Sequence, residues 1–467
     1  MKPAATTEPN PVPEQGHASL EEFHGSVAVP HPQASLWKQY RAFAGPAILV
    51  SVGYMDPGNW STDLQAGAQF KYGLLWIVAL SSAMAIILQT LSARLGVVTG
   101  KDLAQACRDW YPPWLRWPNW IAAEIAIAAC DFAEVLGSAL AIHLLFHIPL
   151  FWAVLITAFD VLLLLSLQRM GMRTIEAIIF VLVATISVCY FIEIFVLPKI
   201  VPSFSEMGAA IITPGVLQGK MLVIAIGIIG ATVMPHNLYL HSALVQSRKF
   251  QADESSIRRA ITWNTVDSVL SLCVAFLVNA SILVLAAIVF YGHTSVDVPG
   301  QPPVILTDKT DWMPVAHLTL APLLGTTLAA TLFAVALLAS GQSSTITGTL
   351  AGQVVMEGFM HWRMRPWARR LMTRGLAIVP AIVLIGLRGE RSITDLLNLS
   401  QVVLGLQLPL AIFPLLLFTS SKRRMGKWAN GWFLLVVGWG SAIIITWLDV
   451  MALPDSLQSA WDIITGG

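Results

Sequence analysis

Asp56-Pro57-Gly58-Asn59 and Met234-Pro235-His236-Asn237 interrupt two long apolar segments near their middles. In a segment able to cross a bilayer, a carboxylate, a proline and a broken backbone ladder are each expensive. The two interruptions share an x-Pro-x-Asn frame, which sets Asp56 opposite Met234 and Gly58 opposite His236. One helix-breaking device, built on Pro57, Gly58, Pro235 and Asn237, is therefore used twice.

The surrounding chain has the composition of a polytopic membrane protein. Hydrophobic residues make up 56% of it, charged residues 12%, and the net charge is +1. Apolar runs of about 20 residues recur almost end to end, which excludes a soluble multidomain reading and gives no basic face for a nucleic acid. Four scattered cysteines, Cys107, Cys130, Cys189 and Cys273, form no CxxC clip or disulfide framework. No GxxxxGK[ST] loop is present, so nucleotide-driven pumping is not expected.

The apolar runs predict an all-α fold with about eleven spans, at roughly 44–70, 73–97, 119–144, 149–168, 175–198, 217–247, 261–291, 317–355, 371–388, 394–419 and 429–452. Residues 1–36, rich in Pro, Glu, His and Ala, are expected to be a disordered cytoplasmic tail. With the N-terminus inside, 22 of the 28 Lys and Arg residues fall on the cytoplasmic side. That bias places the N-terminus in the cytoplasm and, with an odd number of spans, the C-terminus outside.

The interruptions fall in the first and sixth spans, so residues 37–200 and 201–420 read as two repeats of five spans. An odd number of spans per repeat inverts one half relative to the other and places a substrate site between the two breaks. Residues 421–467 then hold the eleventh span and the C-terminus. The first half-helix of each broken span ends near mid-membrane with its carbonyls facing the gap, which favours a cation. Asp56 adds a formal charge and Asn59 an amide oxygen, and Pro235 leaves the Ala231 carbonyl without its helical donor. Met234 adds a thioether, a poor ligand for Mg²⁺ and Ca²⁺ but an acceptable one for Mn²⁺, Fe²⁺, Co²⁺ and Cd²⁺. The donor set predicts a transition-metal site.

These motifs resemble those of the natural resistance-associated macrophage protein (Nramp) family of proton-coupled divalent metal transporters. Its paired hallmark, DPGN in the first span and MPHN in the sixth, stands unsubstituted at 56–59 and 234–237. The runs Gly341-Gln342-Ser343-Ser344-Thr345-Ile346-Thr347-Gly348-Thr349 and Leu404-Gly405-Leu406-Gln407-Leu408-Pro409 extend the resemblance over roughly residues 40–420. It implies a LeuT-type fold with helices 1 and 6 broken, and proton-driven uptake of Mn²⁺ and Fe²⁺ into the cytoplasm. It also implies metal binding by Asp56, Asn59, Ala231 and Met234, joined by a span-10 glutamine, for which Gln401 is preferred to Gln407. Retention of Met234 argues against the family's magnesium-transporting branch. The metal is cargo and the proton the coupling ion, with no permanently bound cofactor. The expected setting is the lipid bilayer of a bacterial inner membrane, with a monomer sufficient for function.

The third span carries Glu124, Asp131 and Glu134. At about 100° per residue the three fall within one quarter of the helix circumference, a stripe about 15 Å long. Such a stripe is a candidate proton relay leading inward, a role the resemblance supports. The competing reading is a set of ion pairs with Arg369, Arg370 and Arg374. Asp56 is the natural coupling residue, losing its proton when a dication arrives. His236 is a candidate to tune or relay that step. Asn279, Asp160 and Asp267 are polar at depth, with structural roles expected.

Two other functions fit the architecture less well. A symporter of a carboxylate-bearing solute would find Asp56 repulsive. An intramembrane metalloenzyme using His236, His241 and Asp56 lacks an HExxH or comparable base-bearing motif.

Overall fold

The computed structural model describes residues 19–31, 33–159, 170–196, 203–250, 253–296, 302–307, 310–324, 327–362, 364–388 and 393–465. The fold is a bundle of helices: α1 Pro46–Ser51, α2 Pro57–Phe70, α3 Leu75–Thr99, α4 Pro113–Phe146, α5 Met172–Phe191, α6 Lys220–Val233, α7 Pro235–Leu244, α8 Glu254–Phe290, α9 Thr327–Met360, α10 Pro366–Arg388, α11 Ile393–Ser420 and α12 Trp432–Thr465. Shorter helices link them, and two ladders of two-residue strands lie outside the bundle.

Among the described residues, eight helices are long and apolar enough to cross a membrane. The other three expected spans have individual reasons for falling outside that set. Asp56 splits the first into short pieces, and Leu371–Gly386 is counted only as a shorter apolar helix. Residues 160–168 of the fourth, with Asp160, lie outside the described residues.

The centre of the bundle is α4, packed along α9 and α11, with α2 lying against α8 and α6 against α11. Glycines permit the closest approaches. A Cβ at Gly230 would meet the Gln401 carbonyl, and one at Gly67 the Leu283 carbonyl. Small residues let backbones meet where apolar area alone does not drive helices together.

Part of the segment expected to be a disordered tail is folded onto the bundle. Leu20, Phe23 and Val27 are buried, the first two beside Met172, Ala243 and Leu244. The Leu20 amide donates to Glu357 at 3.0 Å, and Val27–Ala28 pair in parallel with Arg248–Lys249. Three spaced apolar side chains in a polar segment are enough to seat it.

Candidate metal site

The first break is a helix N-terminus. Residues 53–55 tighten into a 3₁₀ turn, Asp56 turns extended, and Pro57 opens α2 at its first position. Proline suits that position because no amide hydrogen is needed there, and aspartate is a favoured cap. Asp56 Oδ1 accepts from the Asn59 amide nitrogen and from Asn59 Nδ2, each at 2.7 Å, while Oδ2 has no partner among the described residues. The carboxylate is fully buried and lies on the positive end of the α2 dipole. The break therefore presents a helix N-terminus as well as the carbonyl end foreseen from the sequence.

The second break turns on one residue. Helix α6 ends at Val233, Met234 adopts φ 22° and ψ 107°, and Pro235 opens α7. A positive φ at methionine is a strained conformation, of the kind that persists where the surroundings impose it. Asn237 holds the turn, donating its backbone amide to the Met234 carbonyl at 3.2 Å and its side chain to the Met234 sulfur at 3.6 Å.

Asn59 joins the breaks. Its Nδ2 donates to the Ala231 carbonyl at 3.0 Å as well as to Asp56, and its Oδ1 accepts from Asn279 Nδ2 at 3.3 Å. Asn279 also donates to the Tyr54 carbonyl at 2.8 Å, capping the unwound segment. Gln401 is fully buried against Gly58, where a Cβ would collide with its amide, and Gln401 Oε1 has no partner among the described residues. Met234 packs with Ala126, Cys130 and Leu404. Among the described residues no three His, Cys, Asp or Glu side chains are grouped so as to hold a metal ion, and the mixed set of Asp56, Asn59, Ala231, Met234 and Gln401 contains one such side chain.

The stripe on α4 is paired at both ends. Glu124 accepts from Arg369 Nη2 at 3.0 and 3.1 Å and from Trp120 Nε1 at 3.1 Å. Glu134 accepts from Ser344 Oγ at 3.0 Å and faces Arg374 Nη1 at 3.7 Å. Both arginines come from α10, while the side chain of Arg370 lies outside the described residues. Between stripe and breaks sits Cys130, 3.5 Å from Glu134 Oε1 and 3.6 Å from His236 Nε2. Sequence reasoning gives Cys130 no role at the site. Its position four before Glu134, on the same helical face, was the available signal. His241 turns the other way, 2.9 Å from Gln89, which donates to the Tyr54 hydroxyl at 2.6 Å.

The short helix α1 is held from three sides. Asp267 accepts from the backbone nitrogens of Gly45 and Ala47 at 3.2 and 3.0 Å. Arg173 and Arg248 both donate to the carbonyls of Ala42 and Ala44, at 2.6 to 3.1 Å, and both pair with Glu176. On the opposite side of the breaks a cavity of about 450 Å³ opens between α2, α6 and α11. Thr62, Gly227 and Val402 line it, within about one turn of Asn59, Ala231 and Gln401.

A sequence profile described as natural resistance-associated macrophage protein-like matches residues 47–454. The divalent metal cation transporter MntH of Nostoc sp. is 48% identical over 454 residues, covering 96% of this chain and 98% of that protein. The transporter of the same description from Bradyrhizobium diazoefficiens is 48% identical over 445 residues, 94% of each. Among solved structures, the Eremococcus coleocola manganese transporter in complex with an aromatic bis-isothiourea substituted compound is similar at a TM-score of 0.83 and 38% identity, over 96% of each chain.

Proposed function

The chain belongs to the Nramp family, and from that premise we propose that it is a secondary transporter of divalent transition metals, Mn²⁺ and Fe²⁺ foremost, coupled to protons. The observation that carries the reading is the Asn59 amide, whose NH₂ group sits between Asp56 Oδ1 and the Ala231 carbonyl. An NH₂ group is the positive end of an amide, held where two oxygens converge. Turning that amide over puts Asn59 Oδ1 in its place, so that three oxygens surround a point able to take a cation. Met234 and Gln401 complete the shell in this reading, and the thioether disfavours Ca²⁺ and Mg²⁺.

Arrival of a dication drives the proton from Asp56. His236, Cys130, Asp131 and Glu134 then form a path towards Glu124, with Arg369 and Arg374 holding its two ends. The ion pairs and the relay are compatible, because a proton crossing a paired carboxylate displaces its arginine for the duration of the step.

Eleven spans in two inverted repeats, with the N-terminus cytoplasmic and the C-terminus outside a bacterial inner membrane, complete the proposal. A monomer suffices. In that orientation the cavity beside Thr62 faces outward, and the clamp on α1 closes the cytoplasmic side.

The test is Mn²⁺ uptake into proteoliposomes at several external pH values, for the native chain, Asp56→Asn and Met234→Ala, with Ca²⁺ as competitor. Acid-stimulated uptake should vanish in Asp56→Asn, and Ca²⁺ should compete better in Met234→Ala. Native protein that moves no Mn²⁺ would refute the function. Uptake insensitive to pH would reduce it to an uncoupled metal carrier.

A further inference from the structure

Residues 19–29, ahead of α1, reach the ends of α5, α7 and α9 together. Leu20 and Phe23 fill a recess between Met172 at the start of α5 and Ala243 and Leu244 at the end of α7. The Leu20 amide donates to Glu357 Oε2, near the end of α9, at 3.0 Å, and Gln353 Nε2 donates to the other oxygen of that carboxylate at 2.9 Å. The Gly25 amide donates to the Gln246 carbonyl at 3.0 Å, and Val27–Ala28 then run parallel to Arg248–Lys249.

Arg248 ties this segment to α1. Its backbone pairs with Val27, while its guanidinium donates to the Ala42 and Ala44 carbonyls at 3.1 and 2.6 Å, where the chain leads into α1. Phe43, between those two residues, is buried in an apolar cluster with Ala93, Val97 and Val245, and Val29 packs against the same cluster. Gly45 comes next and lies so close to Glu176 that a Cβ there would collide with the carboxylate. The segment and the lead into α1 therefore share one seat. Swinging α1 away from the bundle would withdraw Phe43 from the cluster that supports Val29 and free the side chain of the residue whose backbone carries Val27. The contact is also small. A few apolar side chains and a two-residue ladder open at far lower cost than the bundle beneath them.

We propose that residues 19–29 are a latch, docked while α1 is closed against α5 and α7 and released each time α1 opens. It rests on the transport reading above, in which the clamp on α1 closes the cytoplasmic side and its opening lets the metal through. A segment that binds only the closed form shifts the equilibrium towards that form by its own binding free energy. Undocking is then a step of the cycle, and holding the segment down stalls the protein with α1 closed.

The test combines a reversible lock with a release, both in the full chain carrying Cys273→Ser, which removes the exposed one of the four cysteines. Ala28 and Lys249 are directly paired and both exposed, and neighbouring strands hold such positions within disulfide range. Oxidation of Ala28→Cys/Lys249→Cys with diamide should lower Mn²⁺ uptake into proteoliposomes about tenfold or more, leave Mn²⁺ binding within about twofold, and be reversed by dithiothreitol. For the release, Leu20→Ser/Phe23→Ser should raise the rate at which a cysteine at Ala47 reacts with a thiol reagent about tenfold. Melting and Mn²⁺ binding report whether that variant is folded. The oxidised pair leaves every native apolar contact in place and decides the matter if it is not. Native-level uptake by the oxidised pair would overturn the latch and leave the transport reading standing, as would an unchanged Ala47 labelling rate in the folded release variant. A disulfide that never forms would overturn the docked pairing itself. Native protein that moves no Mn²⁺ would overturn the transport reading and the latch together.

Discussion

The Asn59 side chain donates to the Ala231 carbonyl at 3.0 Å across 172 residues of sequence, tying the break in one half of the chain to the break in the other. Replacing Asn59 with Ala removes that tie and one oxygen of the proposed metal shell. Mn²⁺ affinity, measured by titration calorimetry, should fall about 10- to 100-fold. Thermal stability should change less, because the Asp56 cap still satisfies the backbone nitrogen of residue 59.

Gly58 has a testable steric role. A Cβ there would collide with the Gln401 amide, so Gly58→Ala should displace that side chain and raise the KM for Mn²⁺. The double variant Gly58→Ala/Gln401→Ala removes the collision and should regain part of the loss made by Gly58→Ala. Strictly additive losses would show that Gly58 matters for another reason.

Arg248 has a fully buried side chain and joins Glu176 to the Ala42 and Ala44 carbonyls. Arg248→Ala leaves Glu176 with the half-exposed Arg173 as partner and frees the start of α1. The expected cost is about 3 kcal/mol of stability, read from denaturant or thermal unfolding. A cysteine placed at Ala47 should also become more reactive to a thiol reagent. Arg248→Lys should not rescue, since one ammonium cannot reproduce the fork that reaches a carboxylate and two carbonyls.

Outside the spans, burial pushes the Asp102 carboxyl up to about 6 from an ordinary value of 3.8, against the opposing hydrogen bond from the Gln105 backbone. An acid whose folded value lies above its unfolded one stabilises the fold fully below about pH 4, and that contribution is lost as the pH rises through about 6. Asp102→Asn keeps the helix cap, because asparagine caps as well as aspartate. It should therefore flatten the fall in melting temperature between pH 4 and 6.5. An unaltered slope would place the pH dependence elsewhere.

Much of the site was legible because its signals are local. A proline and a carboxylate inside an apolar run announce a broken helix, and the oxygen, amide and sulfur donors around Asp56 and Met234 are read directly. The charged stripe on α4 and its arginine partners were legible for the same reason, since charge stands out against apolar neighbours. Contacts over long separations were invisible. Nothing near Asp267 in sequence points to Gly45, yet the two meet across 222 residues. The N-terminal segment misled because its composition is that of a disordered tail, while three spaced apolar side chains seat part of it.

That seated segment constrains how the molecule is made. Leu20 is fastened to Glu357, 337 residues later, and Val27–Ala28 to Arg248–Lys249. A ribosome releases residue 20 long before either partner exists, so a segment made early is among the last to find its place. During synthesis this strap must wait, unpaired, until most of the bundle has been inserted, and its docking marks a nearly finished protein.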